Sequence, residues 1–212
     1  MTPIRVRTLC SSLALALSIL VWSTVSAAPN EALRERIDAI RYAPGSLIGS
    51  ERIFSTRILP ELYERNGFAL LWSAAENEQA LIDAVRTAYE DGLEPHDYHL
   101  EALVRPAPAD DAARAERDIL LTDALLGLLY HLRVGKVDPV GLDPQWNFGS
   151  ELRVDDAMLA QLKESIASGN VRRAIDAARP SYPLYAELRG ALRTHREFER
   201  AGAGHPSRPA RP

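Results

Sequence analysis

Residues 118–146, DILLTDALLGLLYHLRVGKVDPVGLDPQW, constrain the fold of this chain more than any other stretch. From Asp118 to Val134 there is no proline, and nine positions are Leu, Ile or Val: Ile119, Leu120, Leu121, Leu125, Leu126, Leu128, Leu129, Leu132 and Val134. Spaced at about 100° per residue they cover most of a helical circumference, densest along Leu121, Leu125, Leu128 and Leu132. A helix apolar nearly all round is a buried helix. At roughly 17 residues it sits at the lower limit for crossing a bilayer. Asp118, Asp123, His131 and Arg133 also oppose lipid. The stretch therefore predicts a core helix, with Gly135 as a left-handed cap and Arg133 and Lys136 near its last carbonyls. Asp138-Pro139 and Asp143-Pro144 then force the chain out of helix, and Trp146 and Phe148 are expected to fold back on the core.

The N-terminus reads differently. Arg5 and Arg7 form a basic n-region, Leu9 to Val25 is uncharged and apolar, and Val25-Ser26-Ala27 fits a small-residue cleavage site. This pattern predicts a secretory signal peptide over residues 1–27; an uncleaved anchor is the rival reading. Cys10 lies before the apolar run, which speaks against a lipoprotein. Cleavage after Ala27 removes Arg5 and Arg7 and no acidic residue, so the formal charge moves from −4 to −6. A chain this acidic is a poor partner for nucleic acid. Cys10 is the single cysteine of the sequence, so the expected mature chain has neither a disulfide nor a thiol nucleophile. Its expected location is the periplasm, with no membrane-spanning segment after cleavage.

The remainder, residues 28–200, fits one helical domain. Glu31 to Arg41 spaces Leu33, Ile37 and Ile40 along one face, and Ala43-Pro44-Gly45 breaks it. Pro60 is placed to open a short helix ended by Gly67. Phe68 to Trp72 is too short for a helix and predicts an extended piece packed on the core. Asn77 to Asp91 carries a Leu81, Ala84, Val85, Ala88 and Tyr89 stripe closed by Gly92. A short helix follows from Pro95 to Leu103, anchored by Tyr98 and Leu103, and then a polar loop from Pro106 to Ala113. Asp155-Asp156 caps a helix to Ser168, with Met158, Leu159, Leu162 and Ile166 inward. Asn170 caps another carrying Val171, Ala174, Ile175 and Ala178. Pro183 starts the last helix, with Leu184, Leu188 and Leu192 on one face. Residues 201–212 are expected to be a disordered tail. The fold class is all-α, a compact helical domain around a buried central helix.

Few residues recommend themselves for chemistry. His96 and His99, three apart around Asp97, are half of a zinc site at most, since a metal needs a third protein ligand; solvated turn residues are the simpler reading. His131 reads as a histidine hydrogen-bonded at the core edge. Thr122 and Asp123 interrupt the leucine run, and a local hydrogen bond accounts for Asp123. Glu90-Asp91 reads as a solvated face and Asp155-Asp156 as a helix cap, not as acid/base pairs. A paired-carboxylate glycosidase arrangement has nothing to recommend it, and no serine sits in a nucleophile elbow. Trp72 and Trp146 are candidates for stacking on sugar rings, against the commoner role of core aromatics. No catalytic residue, cofactor-binding residue, metal ligand or cofactor is assigned.

Taken in order, several segments are more informative together. They are Tyr63-Glu64-Arg65-x-Gly67-Phe68 running to Leu71-Trp72, and Glu90-Asp91-Gly92-Leu93-Glu94-Pro95-His96-Asp97-Tyr98-His99. Leu121-Thr122-Asp123-Ala124 and Leu132-Arg133-Val134-Gly135-Lys136-Val137-Asp138-Pro139 follow, then Trp146 and Pro180-Ser181-Tyr182-Pro183-Leu184-Tyr185-x-x-Leu188-Arg189. Over roughly Ile40 to Phe198 this series resembles the N-terminal helical scaffold domain of large periplasmic murein L,D-transpeptidases. The resemblance implies a non-catalytic role in cell-wall cross-linking, with peptidoglycan or a cell-wall transpeptidase as the partner. The family's catalytic cysteine lies in a separate C-terminal domain near H-G-T and S-x-G-C-x-R motifs, which this sequence lacks, so no catalytic residue carries over. The expectation is a truncated or freestanding scaffold; the alternatives are a peptidoglycan-binding module or a carboxylate-dependent wall hydrolase.

Overall fold

The computed structural model describes residues 30–43, 45, 47–137 and 156–202. The expected signal peptide, Trp146, Phe148, the two Asp-Pro steps, Asp155 and tail residues 203–212 lie outside them. Eight α-helices and one two-residue hairpin occur among the described residues, so the fold is all-α as the periodicity predicts.

Helix α1 (Glu31–Tyr42) opens on Asn30, whose side chain accepts from the Leu33 N–H at 3.0 Å. Its spacing buries Leu33, Ile37 and Ile40, against α5 and α2. Strands β1 (Leu47–Ile48) and β2 (Glu51–Arg52) pair antiparallel across Gly49, whose φ is +60°. A Gly-Ser pair between two short runs was the available sign of that turn. Helix α2 (Ile58–Arg65) begins two residues before Pro60, because the Ser55 carbonyl accepts from both Ile58 and Leu59 N–H at 3.0 Å. Pro60 still falls in the first turn, where its missing N–H removes no helical bond.

Residues 68–72 form no strand; they run irregularly over the core, with Phe68, Leu71 and Trp72 buried. Helix α3 (Ala75–Arg86) is shorter than its apolar stripe. The Thr87 hydroxyl donates to the carbonyls of Asp83 at 3.0 Å and Ala84 at 3.2 Å, and a 3₁₀ turn (Ala88–Asp91) follows. Such side-chain competition for helical carbonyls favours termination. A second 3₁₀ turn (Pro95–Tyr98) and α4 (Leu100–Leu103) bury Tyr98 and Leu103, the two expected anchors.

Helix α5 (Asp111–Val134) is 24 residues long and starts two turns before the leucine-rich run, because Asp110 caps it by accepting from Ala113 N–H at 2.8 Å. Thirteen of its residues are buried, from Ala115 to Leu132, and α1, α2, α3, α4 and the second 3₁₀ turn all pack on it. Gly135 ends it at φ +99° and ψ +157°, a positive-φ conformation that favours glycine but lies outside the left-handed helical region expected of the cap, with its N–H reaching the His131 carbonyl at 3.0 Å. Helices α6 (Asp156–Ala167), α7 (Val171–Ala178) and α8 (Pro183–Arg200) complete the chain. Leu159, Leu162 and Ile166 point inward from α6, and α7 packs Val171, Ile175 and Ala178 against α3 and α5. Asn170 does not cap α7 with its side chain, which donates to Ser168 Oγ at 2.8 Å instead. Asn77 is buried and donates to the Ile166 carbonyl at 2.5 Å, tying α3 to α6. No helix among the described residues is long and apolar enough to cross a membrane.

Candidate functional site

Asp118, Thr122 and Asp123 are spaced to share one side of α5, and all three are buried, at 3%, 0% and 1% exposure. Three acceptors inside a leucine core require partners, since an unpaired buried polar group costs about 1–3 kcal/mol. Asp118 finds them in the 68–72 segment. Its carboxylate accepts from Leu71 N–H at 3.0 and 3.1 Å, from Trp72 N–H at 2.9 Å, and from the Tyr63 hydroxyl at 2.6 Å. Thr122 Oγ1 donates to the Asp118 carbonyl at 2.8 Å and accepts from Trp72 Nε1 at 2.9 Å. The irregular segment is thus pinned by its own backbone donors. Burial pushes the Asp118 carboxyl above the usual carboxylate range, with the Tyr63, Trp72 and Leu71 hydrogen bonds pulling back against it. Burial and then the Asp118 charge drive the Tyr63 hydroxyl well above its ordinary value. Trp72 is 6% exposed, and this burial of its ring removes it as a platform for a sugar.

Asp123 does the same for the segment before α2, accepting from Phe54 N–H at 2.9 Å and Ser55 N–H at 2.7 Å. It is not bonded locally, as the sequence suggested. Its Oδ2 also meets His99 Nε2 at 2.9 Å, and His99 Nδ1 meets Glu51 Oε2 at 2.9 Å. His99 is 4% exposed and takes φ +59°, a left-handed conformation uncommon for a residue with a Cβ. The solvated-turn reading holds for His96, which is exposed beside Asp97, and fails for His99. Periodicity carries no sign of it, because the strained backbone turns the ring inward. His131 lies at the core edge, bonded through Nδ1 to the Tyr98 hydroxyl at 2.9 Å; burial and then the Lys136 charge lower its pKa. A cleft of about 430 Å³ opens over this cluster, between the hairpin, the second 3₁₀ turn and α5.

A third buried carboxylate lies apart from these. The Asp91 side chain is fully buried, not part of a solvated face, and its Oδ2 accepts from Arg179 Nε at 2.9 Å. The Tyr185 hydroxyl donates to Oδ1 at 2.9 Å. Arg189 Nε lies 2.6 Å from Oδ1 as an ion pair without an aligned hydrogen bond, and Arg189 Nη2 donates to Glu90 Oε2 at 3.0 Å. Arg196 adds a bond to the Tyr89 carbonyl. The turn at Tyr89–Asp91 is thus the mooring for α8.

These tethers join the segments that stood out in sequence: Tyr63, Leu71 and Trp72 with Asp118 and Thr122, His99 with Asp123, and Asp91 with Tyr185 and Arg189. The scaffold-domain family model matches residues 57–192. This chain belongs to the scaffold-domain family of L,D-transpeptidases. Neither the curated proteins nor the solved structures give a match.

A scaffold domain is non-catalytic, and the chemistry of its polar groups agrees with that role. Asp118 is closed in by backbone donors and the Tyr63 hydroxyl, and Asp123, which lines the cleft, has both oxygens engaged by Phe54, Ser55 and His99. His99 has both ring nitrogens bonded to carboxylates, with none left for a nucleophile. Among the described residues there is no group of three His, Cys, Asp or Glu side chains able to hold a metal ion. The buried polar residues of this scaffold domain position backbone. Sequence spacing pointed to the carboxylates but not to their partners, which lie 46 to 69 residues away for Asp118 and Asp123 in the bonds to 54–55 and 71–72.

Proposed function

We propose that this chain is an exported, non-catalytic scaffold that acts in peptidoglycan cross-linking by supporting or positioning a cell-wall transpeptidase. The family match over residues 57–192 carries the reading. Two features support it. The buried carboxylates are spent on holding irregular segments, as expected of a framework and not of a wall hydrolase. Residues 28–200 contain no cysteine, and L,D-transpeptidation of the type the resemblance implies needs a thiolate nucleophile. The basic n-region, the apolar run and Val25-Ser26-Ala27 support export to the periplasm with cleavage after Ala27.

The test uses the mature chain. Incubation with a carbapenem, which acylates catalytic cysteines of this class, leaves its mass unchanged, and muropeptides are neither cross-linked nor cleaved. Co-sedimentation with purified sacculi and chemical crosslinking to a transpeptidase supply the positive arm. A covalent adduct overturns the non-catalytic assignment. Failure to sediment at low salt, together with failure to crosslink to a transpeptidase, overturns the scaffolding role.

A further inference from the structure

The His99 ring is flanked by carboxylates on both sides, Glu51 at Nδ1 and Asp123 at Nε2, each at 2.9 Å. An ionised carboxylate only accepts, so both ring nitrogens must carry protons, and a neutral imidazole has one N–H. The pair of bonds specifies the imidazolium. From this geometry we propose that Glu51, His99 and Asp123 form a pH-sensitive latch holding the β1–β2 hairpin against α5, closed while the ring is charged and released at the hairpin once it is neutral.

The surroundings decide which bond breaks. Asp123 is 1% exposed and cannot be rehydrated in place, whereas the Glu51 side chain is 19% exposed and can turn to water. Asp123 keeps the Phe54 and Ser55 N–H groups whatever the ring does. Among the described residues Glu51 keeps one further contact, a long one from the Ser50 hydroxyl at 3.3 Å. A neutral ring therefore retains its Nε2 proton for Asp123 and gives up Glu51. The other charges facing the ring are already engaged or sit at the rim. Asp97 of the second 3₁₀ turn is paired with Lys136 and contacts His96. On α5, His131 is bonded to Tyr98 and resists protonation, and Arg52 lines the cleft from β2.

Burial alone would lower the His99 pKa; its bonds to Asp123 and Glu51 outweigh that and hold it above the usual imidazole value. The sign follows. A raised folded-state pKa contributes stability that is complete below the unfolded value of about 6.5 and lost as pH rises through the folded value. The latch is closed in mild acid and opens as pH rises through the folded-state value, above about 6.5.

Nitrogen-15 NMR of the mature chain reads the ring directly. At about pH 6 both His99 nitrogens are expected to be protonated, with a titration midpoint above about 6.5. Amide exchange at Leu47–Arg52, corrected for its intrinsic pH dependence, is expected to rise about tenfold or more through that midpoint, as suits loss of one charge-assisted bond. Exchange in α5 should not follow. Glu51→Gln is partly exposed and conservative, and its amide can either donate to a bare Nδ1 or accept from its N–H. In that variant the His99 midpoint falls and the exchange step disappears. A ring with one protonated nitrogen at pH 6, a midpoint at or below 6.5, a hairpin indifferent to pH, or a step that survives Glu51→Gln would each overturn the latch.

Discussion

Helices α5 and α8 look alike in sequence, each a long run with leucines at helical spacing, yet the molecule treats them in opposite ways. Helix α5 buries thirteen residues and receives the backbone of two irregular segments on its carboxylates. Helix α8 buries none; Leu184 and Leu188 are 57% and 55% exposed. It is moored through Asp91 and Glu90 by Arg189, Tyr185 and the neighbouring Arg179. The two anchoring carboxylates differ in kind. Asp118 faces neutral, immobile donors that cannot reach water without unfolding the segment that carries them. Asp91 faces two guanidinium groups on flexible stems, side chains that are 19% and 32% exposed and that water can take over. Burial of the acceptor is similar in the two places; what each donor can do after the bond breaks is not.

The comparison predicts its own largest effect at Asp118. Asp118→Ala strands the Leu71 and Trp72 amides and removes the acceptor for Tyr63, at a cost of about 4 kcal/mol. That is a large share of a stability of about 5–15 kcal/mol. Urea titration should show the whole domain shifting to a lower midpoint, and a loss under about 1 kcal/mol would place the two anchors on the same footing. Asp91→Ala should act locally. Residues 183–200 are expected to lose exchange protection and become sensitive to protease, while the unfolding midpoint of the core moves by less than about 1 kcal/mol. If the core midpoint falls as far as in Asp118→Ala, the contrast collapses. The smallest effect belongs to Leu188→Gln, within about 0.5 kcal/mol of wild type. A loss beyond about 1 kcal/mol would mean that the leucine face of α8 is covered in solution.

Much of this fold was legible because burial leaves a period behind. Leu33, Ile37 and Ile40 announced α1, and the leucine ring of 118–134 announced a core helix before any partner was known. The early start of α5 was hidden, since Asp111 to Arg117 carries charges and alanines and only the Asp110 cap marks it. The tethers were hidden for a different reason. A buried carboxylate in a helix declares that it needs donors but not where they come from, and Asp123 draws its donors from Phe54, Ser55 and His99, on two separate segments. The face of α8 misleads in the reverse sense: its leucines carry the period of a buried stripe, and nothing among the described residues buries them.

The position of Asp118 and Asp123 late in the chain has a consequence in time. Synthesis runs from the N-terminus, and Ser55, Tyr63 and Trp72 precede their acceptors by 68, 55 and 46 residues. Until α5 exists, the segments at 53–55 and 68–72 lack these acceptors, and Leu59, Leu62 and Tyr63 have α1 but not α5 to pack against. Closing such long loops is costly in entropy and slow compared with forming a helix. The first half of the domain therefore waits on the second, and a nascent chain of this protein passes through a long unfinished stage during which a chaperone has more to hold than at any later moment.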